Sequence, residues 1–232
     1  VGDQIQVYKA NMIIPQIAEN LTRSGVKDIP KVCPVCGGVT KIKMENETKT
    51  LYCTNPDCQA KHLKSFALFV SRDAMNIEGL SEATLEKFIG EGFIRDFTDI
   101  YHLDRYEETI KTLEGFGEKS YTKLITSVEN SRNTTMPKLI YSLGISNIGL
   151  SNAKMICRAF ENDPEKMMRA TVEELTDIQG VGEVIARTFV DYFAKEAHRD
   201  LLKRLLEEVQ IQPEEGTWTA QIFESMNFVI TG

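Results

Sequence analysis

The chain has 232 residues, 42% of them hydrophobic, and a formal net charge of −7, enough length for two or more small domains with cores of their own. The acidic balance excludes a simple polycationic nucleic-acid binder. No apolar run approaches the roughly eighteen residues of a membrane span and no secretion-type leader occurs, so neither membrane nor export is expected and a cytoplasmic location follows.

Charge is nevertheless uneven. Residues 23–72 carry nine Lys/Arg against four acids, while most of the acidity gathers in 160–216 and reads as solvated helix faces. The distribution permits a nucleic-acid partner without arguing for one. The chain opens on Val1-Gly2-Asp3 and stops at Thr231-Gly232 inside an expected strand, so a piece of a longer protein is expected.

Along residues 1–20, Ile5 and Val7 alternate with Gln4 and Gln6, and Met12-Ile13-Ile14 leads to Pro15. That pattern predicts two short strands, a pair marginal by itself and expected to belong to a larger sheet. Thr22 to Lys31, with Gly25 and Pro30, reads as a linker.

Next comes a cysteine module. Cys33-Pro34-Val35-Cys36-Gly37-Gly38 is a knuckle in which two thiols flank a tight turn, and Cys53 and Cys58 supply a second pair around Asn55-Pro56. Sixteen residues separate the pairs, room for a short hairpin. Two such pairs deliver the four soft ligands of tetrahedral zinc, and a full thiolate set leaves no open position, so a structural Zn2+ is expected. Two disulfides or free buried thiols are the alternatives, disfavoured by the lack of any sign of an oxidising compartment. His62 could substitute as a ligand but reads better as a residue that faces solvent or hydrogen-bonds a ligand. Cys157, among apolar neighbours on a helix, reads as core.

Helices follow. Leu63, Phe66, Ala67 and Val70 share one helical face. A glycine-containing hairpin then recurs four times: Ile77-Glu78-Gly79-Leu80-Ser81, Leu113-Glu114-Gly115-Phe116-Gly117, Ile145-Ser146-Asn147-Ile148-Gly149 and Ile178-Gln179-Gly180-Val181-Gly182. The apolar centres Leu80, Phe116, Ile148 and Val181 are 36, 32 and 33 residues apart, the mark of one supersecondary unit copied along the chain. Helices are predicted just after the hairpins, at about 82–90, 118–130, 150–160 and 183–194. Leu201, Leu202, Leu205, Leu206 and Val209 form one more amphipathic helix before Pro213; 210–219 read as linker, and Met226-Asn227-Phe228-Val229-Ile230 as a strand. The expected fold is mainly α.

Glycine or asparagine in each turn permits a backbone that side chains obstruct. The helix beginning there has first amides without intrahelical partners, at the positive end of its dipole. Such a start suits a phosphate oxygen and holds it without reading bases. Candidate contacts are Gly79, Ser81 and Thr84; Gly115, Gly117, Lys119 and Ser120; Asn147, Gly149, Ser151 and Lys154; and Gly180, Gly182 and Arg187. The plain alternative is that the glycines only end one helix and begin another; four regular copies weigh against it. Ser81 and Asn147 break the double-glycine pattern and are expected to weaken contact there. The fourth hairpin lies between Asp177 and Glu183, so the second and third are expected to matter most.

The order of these pieces resembles the C-terminal half of bacterial NAD-dependent DNA ligases. Gly2-Asp3 through Tyr8-Lys9-Ala10-Asn11 to Ile14-Pro15-Gln16-Ile17 is similar to the end of an oligonucleotide-binding (OB) barrel. The four-cysteine finger follows, then Phe69-Val70-Ser71-Arg72-Asp73-Ala74-Met75, then four helix–hairpin–helix units. Phe228-Val229-Ile230-Thr231-Gly232 resembles the opening of a BRCT domain. The resemblance implies an OB remnant at 1–22, a zinc finger at 23–63, a tandem helix–hairpin–helix domain at 64–212 and a linker with the first BRCT strand at 213–232. It implies a monomeric enzyme that seals nicked double-stranded DNA with NAD as AMP donor and Mg2+, this portion gripping the DNA on the minor-groove side while the rest of the same ligase chain closes the clamp. The adenylated lysine of that family lies in Lys-x-Asp-Gly, which is absent here; by itself the chain is expected to be inactive, with no catalytic residue and no NAD or Mg2+ site. Two other readings stay open: a stand-alone helix–hairpin–helix repair or junction-binding protein, and a protein-interaction scaffold whose hairpins are only turns.

Overall fold

A computed structural model describes residues 2–10, 13–25, 29–45 and 48–213. The expected strand at 226–230 and the BRCT-like residues 228–232 lie outside the described residues. The chain divides into two compact units, 1–61 and 62–232.

In the first unit β1 (Ile5–Ala10) runs antiparallel to β2 (Ile14–Asn20), Ile5 opposite Asn20 and Ala10 opposite Ile14, with an irregularity at Gln6/Val7. Its apolar side chains Ile5, Val7, Ile14 and Ile17 are all exposed. No closed barrel forms among the described residues; the sheets there have two strands each. β3 (Thr40–Glu45) and β4 (Thr48–Cys53) form the hairpin that the spacing of the cysteine pairs allowed for.

The second unit is helical, as predicted. α1 (Gln59–Val70) buries Phe66, Phe69 and Val70, and the Phe69 ring stacks on Phe97 at 4.5 Å. α2 (Glu82–Gly90), a 3-10 segment (Phe97–Tyr106), α3 (Glu107–Thr112) and α4 (Glu118–Ser131) follow. Then come β5 (Asn133–Thr134), α5 (Met136–Ser142), α6 (Leu150–Ala159), α7 (Pro164–Met168) and α8 (Val172–Thr176). α9 (Glu183–Phe193), α10 (Glu196–Glu208) and β6 (Gln210–Ile211) complete the described part. One apolar core runs through these elements and includes Phe69, Leu124, Ile140, Cys157, Phe189 and Leu202. Cys157 is buried in that core, as read from the sequence.

β6 lies inside the stretch expected to be linker. It pairs in parallel with β5: the Gln210 amide donates to the Arg132 carbonyl and the Gln212 amide to that of Thr134, both at 2.7 Å. The guanidinium of Arg132 fixes this closure. It donates to the Glu208 carboxylate at 2.8 Å, the Glu208 carbonyl at 2.9 Å and the Tyr101 carbonyl at 2.9 Å. His102 Nε2 meets the other Glu208 carboxylate oxygen at 2.7 Å. Burial disfavours the ionised Glu208, but hydrogen bonds from Arg132 and His102 outweigh it and hold its pKa below the usual 4.5.

A folded-state pKa below the unfolded one contributes stability above the unfolded value, and that contribution fades as pH falls through the folded one. Glu208→Gln should therefore cost about 2 kcal/mol at neutral pH. Denaturant titrations should show the gap between variant and parent closing as the pH is lowered below 4.5.

Candidate nucleic-acid interface and metal centre

The four hairpins share one backbone path. Gly79, Gly115, Asn147 and Gly180 take φ of +95°, +87°, +63° and +93°, the left-handed region that reverses the chain. In the last three hairpins the next amide closes the turn, with Phe116 donating to Leu113, Ile148 to Ile145 and Val181 to Ile178 at 2.9–3.0 Å. Leu80, Ile148 and Val181 are buried, and Phe116 packs half-buried on the core, so each turn is anchored by its centre. The fifth residue is then the N-cap of the next helix. Ser81, Gly117, Gly149 and Gly182 each accept the first helical hydrogen bond, from Leu85, Tyr121, Ala153 and Ala186 at 2.8–3.0 Å. The helices begin at 82, 118, 150 and 183, where the sequence placed them.

Asn147 is no departure in geometry, because asparagine tolerates the left-handed region and supplies the same turn; its carbonyl also accepts from Asn152 Nδ2 at 3.0 Å. The fourth hairpin repeats the third: Gly182 (φ −83°, ψ 167°) matches Gly149 (φ −78°, ψ 173°). Its acidic setting alters the charge at this helix start and leaves the shape intact.

What separates the hairpins is their capping. In α4, α6 and α9 no side chain caps the helix start. In α2 the Ser81 hydroxyl accepts from the Thr84 amide at 3.2 Å and already occupies one of the outward donors. In the second hairpin the Ser120 hydroxyl instead accepts from Gly117, at 3.0 Å, behind the helix start. A Cβ would meet nothing within 4 Å at Gly115, Gly117, Gly149 or Gly182. At Gly79 it would stand 3.4 Å from Leu124 and at Gly180 3.0 Å from Met155 Sδ. Gly79 and Gly180 thus set their turns against neighbouring helices, whereas Gly117, Gly149 and Gly182 lie at open helix starts.

The packing of these turns also shows how the hairpins are held. The Glu78 amide donates to Ser127 of α4 at 2.7 Å, and Lys87 of α2 donates to the Glu114 carbonyl at 2.8 Å. The first two hairpins clasp each other's helices. Gly180 lies on α6, the helix of the third hairpin, in the same manner.

Sequence reasoning missed a pattern at the first helical residue. Glu82, Glu118 and Glu183 occupy it in three hairpins, and each is paired with a cation: Lys64 at 2.9 Å, Lys111 at 2.9 Å and Arg187 at 2.6 Å. Lys111 also bonds Glu107 at 2.5 Å; hydrogen bonds to Glu107 and Glu118 push its pKa up, keeping it charged. The third hairpin has Leu150 there and no acid. Arg187, a candidate contact, is paired with Glu183. Ser81, Lys119, Ser120, Ser151 and Lys154 are exposed, Thr84 is half-buried, and no described contact engages the ammonium of Lys119 or Lys154.

In the cysteine module, the Sγ atoms of Cys33, Cys36, Cys53 and Cys58 all lie within 4.8 Å of one another. Cys33–Cys58 are 3.9 Å apart and Cys36–Cys53 3.4 Å. A tetrahedron with metal–sulfur bonds near 2.3 Å has edges of about 3.8 Å, so the set could hold a metal ion. His62 is not among these ligands. The knuckle needs its glycines: Gly37 has φ +69°, and a Cβ on Gly38 would stand 2.9 Å from Asn55 Cβ and 3.3 Å from Cys36 Sγ. Gly38 also donates its amide to Cys36, which brings that thiol's pKa down to about 6, while burial pushes Cys53 up to about 11.

Residues 138–202, which contain the third and fourth hairpins, match the family model described as helix-hairpin-helix motif. A DNA ligase of Lachnoclostridium phytofermentans is 55% identical over 232 residues, covering 100% of this chain and 36% of that protein. A DNA ligase of Ruminiclostridium cellulolyticum is 54% identical over the same length, with 35% of it covered, and one of Fusobacterium nucleatum is 34% identical over 242 residues. Over its whole length the chain is similar to DNA ligases. It spans about a third of the length of the DNA ligases it matches. The cysteine cluster and all four hairpins fall within the DNA ligase match, because the match runs the whole length of the chain.

Two glycines of one turn should respond unequally. Gly180→Ala forces a side chain into the left-handed region against Met155 and should cost about 2 kcal/mol in stability. Gly182→Ala has ordinary φ and open space, and should change thermal stability by less than about 0.5 kcal/mol.

Proposed function

We propose that this chain is the DNA-gripping, C-terminal portion of an NAD-dependent DNA ligase that seals nicks in duplex DNA during replication and repair. It holds the sugar–phosphate backbone and reads no base sequence. The observation that carries the reading is the set of helix starts at Gly117, Gly149 and Gly182, where outward amides have neither a side-chain cap nor an obstructing Cβ. A phosphate oxygen supplies what these amides lack, and the helix dipole favours its charge.

In this reading Lys119 and Ser120 assist at the second hairpin and Ser151 at the third. The third is the strongest grip because no carboxylate stands at its first helical residue. The first is mainly structural, since Ser81 caps its own helix and Gly79 faces Leu124.

The four thiolates hold a structural Zn2+. It shapes the finger (23–63) that joins an OB-barrel end (1–22) to the hairpin domain (64–212), with a BRCT domain beginning at 213–232. The exposed apolar side chains of β1 and β2 fit a sheet completed by the rest of the ligase chain. Adenylation, with its NAD and Mg2+ sites, belongs to that remainder, because no Lys-x-Asp-Gly occurs here. The protein works as a cytoplasmic monomer on nicked double-stranded DNA.

Binding of the chain to a nicked duplex should be sequence-blind. With one phosphate at each of three hairpins, log affinity should fall with log salt at a slope between about −2 and −3. Gly149→Val should weaken binding about tenfold with the melting temperature preserved. Salt-insensitive binding, or a variant that binds as tightly as the parent, contradicts the reading. Metal analysis should find about one zinc per chain, lost in Cys53→Ser; a zinc-free purified chain contradicts the zinc assignment.

A further inference from the structure

Away from the hairpin starts, the second unit holds an open pocket of about 290 Å³ between α1, the segment before the 3-10 helix and the α9–α10 junction. Aromatic rings supply much of its wall: Phe66 and Phe97 meet edge to face at 5.1 Å, and Tyr192 stacks on His198 at 3.9 Å. Its polar lining is Ser65, Asp96 and three basic side chains. His62, Arg95 and His198 line it, and no described contact engages the His62 ring or the Arg95 guanidinium. His198 Nδ1 is 2.8 Å from the Tyr192 carbonyl; donating there leaves Nε2 available to a ligand.

The acid in the lining is already satisfied. Asp96 accepts from Arg204 at 2.6 Å and from the Thr98 amide and hydroxyl at 2.8 and 2.5 Å. The hydrogen bonds from Thr98 and Arg204 outweigh burial and keep its pKa low, so it stays an engaged carboxylate. The Arg95 guanidinium and the His62 ring beside aromatic walls, in a chain of net charge −7, form a local recognition element that the phosphate-gripping hairpins do not use. An engineered apolar cavity of about 150 Å³ takes one benzene ring, so this one has room for one or two rings.

We propose that this cavity is a binding site for a small aromatic carboxylate, its rings against Phe66, Phe97 and Tyr192 and its carboxylate at Arg95. A flat ring meets aromatic faces in stacked or edge geometry, and a guanidinium fork matches a carboxylate.

The probe is 2-naphthoate, titrated into the full chain and followed by NMR of the histidine rings and the Arg95 Nε–H. Saturable binding below about 1 mM is expected, with His62, His198 and Arg95 among the most shifted resonances. The uncharged analogue 2-naphthylmethanol, and the acid with Arg95→Gln, should each bind about fivefold more weakly. Ser65→Trp, which fills the cavity and leaves the basic groups in place, should abolish binding. The site is overturned by shifts elsewhere on the chain, by no saturation up to about 10 mM, or by equal affinity for acid and alcohol. Nicked-DNA affinity should be unchanged in Arg95→Gln, which separates this site from the hairpins; a matching loss of DNA binding would mean that Arg95 serves the DNA surface and that the cavity is not an independent site.

Discussion

The second unit depends on one constraint: a helix cannot satisfy its own first amides. A serine, threonine or aspartate cap meets it at α2 with Ser81, at α7 with Asp163 and at α8 with Thr171. α4, α6 and α9 begin at glycines that offer no side-chain oxygen. The fold contains both solutions side by side. α3, α5 and α10 also start without a side-chain cap, but at Tyr106, Thr135 and Lys195; only at the repeated turn does the uncapped start coincide with a glycine whose Cβ position is open.

Keeping those amides outward requires rigid turns. A left-handed residue reverses the chain, a buried apolar centre anchors it, and the turn leans on a neighbouring helix through Ser127, Leu124 or Met155. The glutamates at the first helical position complicate the electrostatics. They suit the dipole and would repel phosphate, and their pairing with Lys64, Lys111 and Arg187 reduces that repulsion. These pairs are largely exposed and contribute little to stability; their consequence is for the charge an approaching ligand meets.

Much of this was legible in the sequence. The hairpins fixed four helix starts because glycine, buried centre and next helix are separated by fixed local offsets. The cysteine cluster was legible for the same reason, its two pairs being joined by a short β-hairpin. Elements made by distant partners were not. β6 exists because Arg132 and Glu208, 76 residues apart, bring Gln210 beside Asn133. The 3-10 segment has no helical period to read, and the Lys64–Glu82 pair spans eighteen residues. The shared left-handed turn and matching helix start of the third and fourth hairpins were hidden by composition, since Asn147 and the flanking acids suggested a different path.

The central claim is that bare helix-start amides receive the DNA backbone. Amide chemical shifts of the chain, recorded while nicked duplex is added, test it most directly. The largest changes are predicted at residues 118–120, 150–152 and 183–185, with Thr84, already bonded to Ser81, nearly unmoved. Changes confined to other surfaces, or equal changes at Thr84 and at the three glycine-capped starts, would contradict the account.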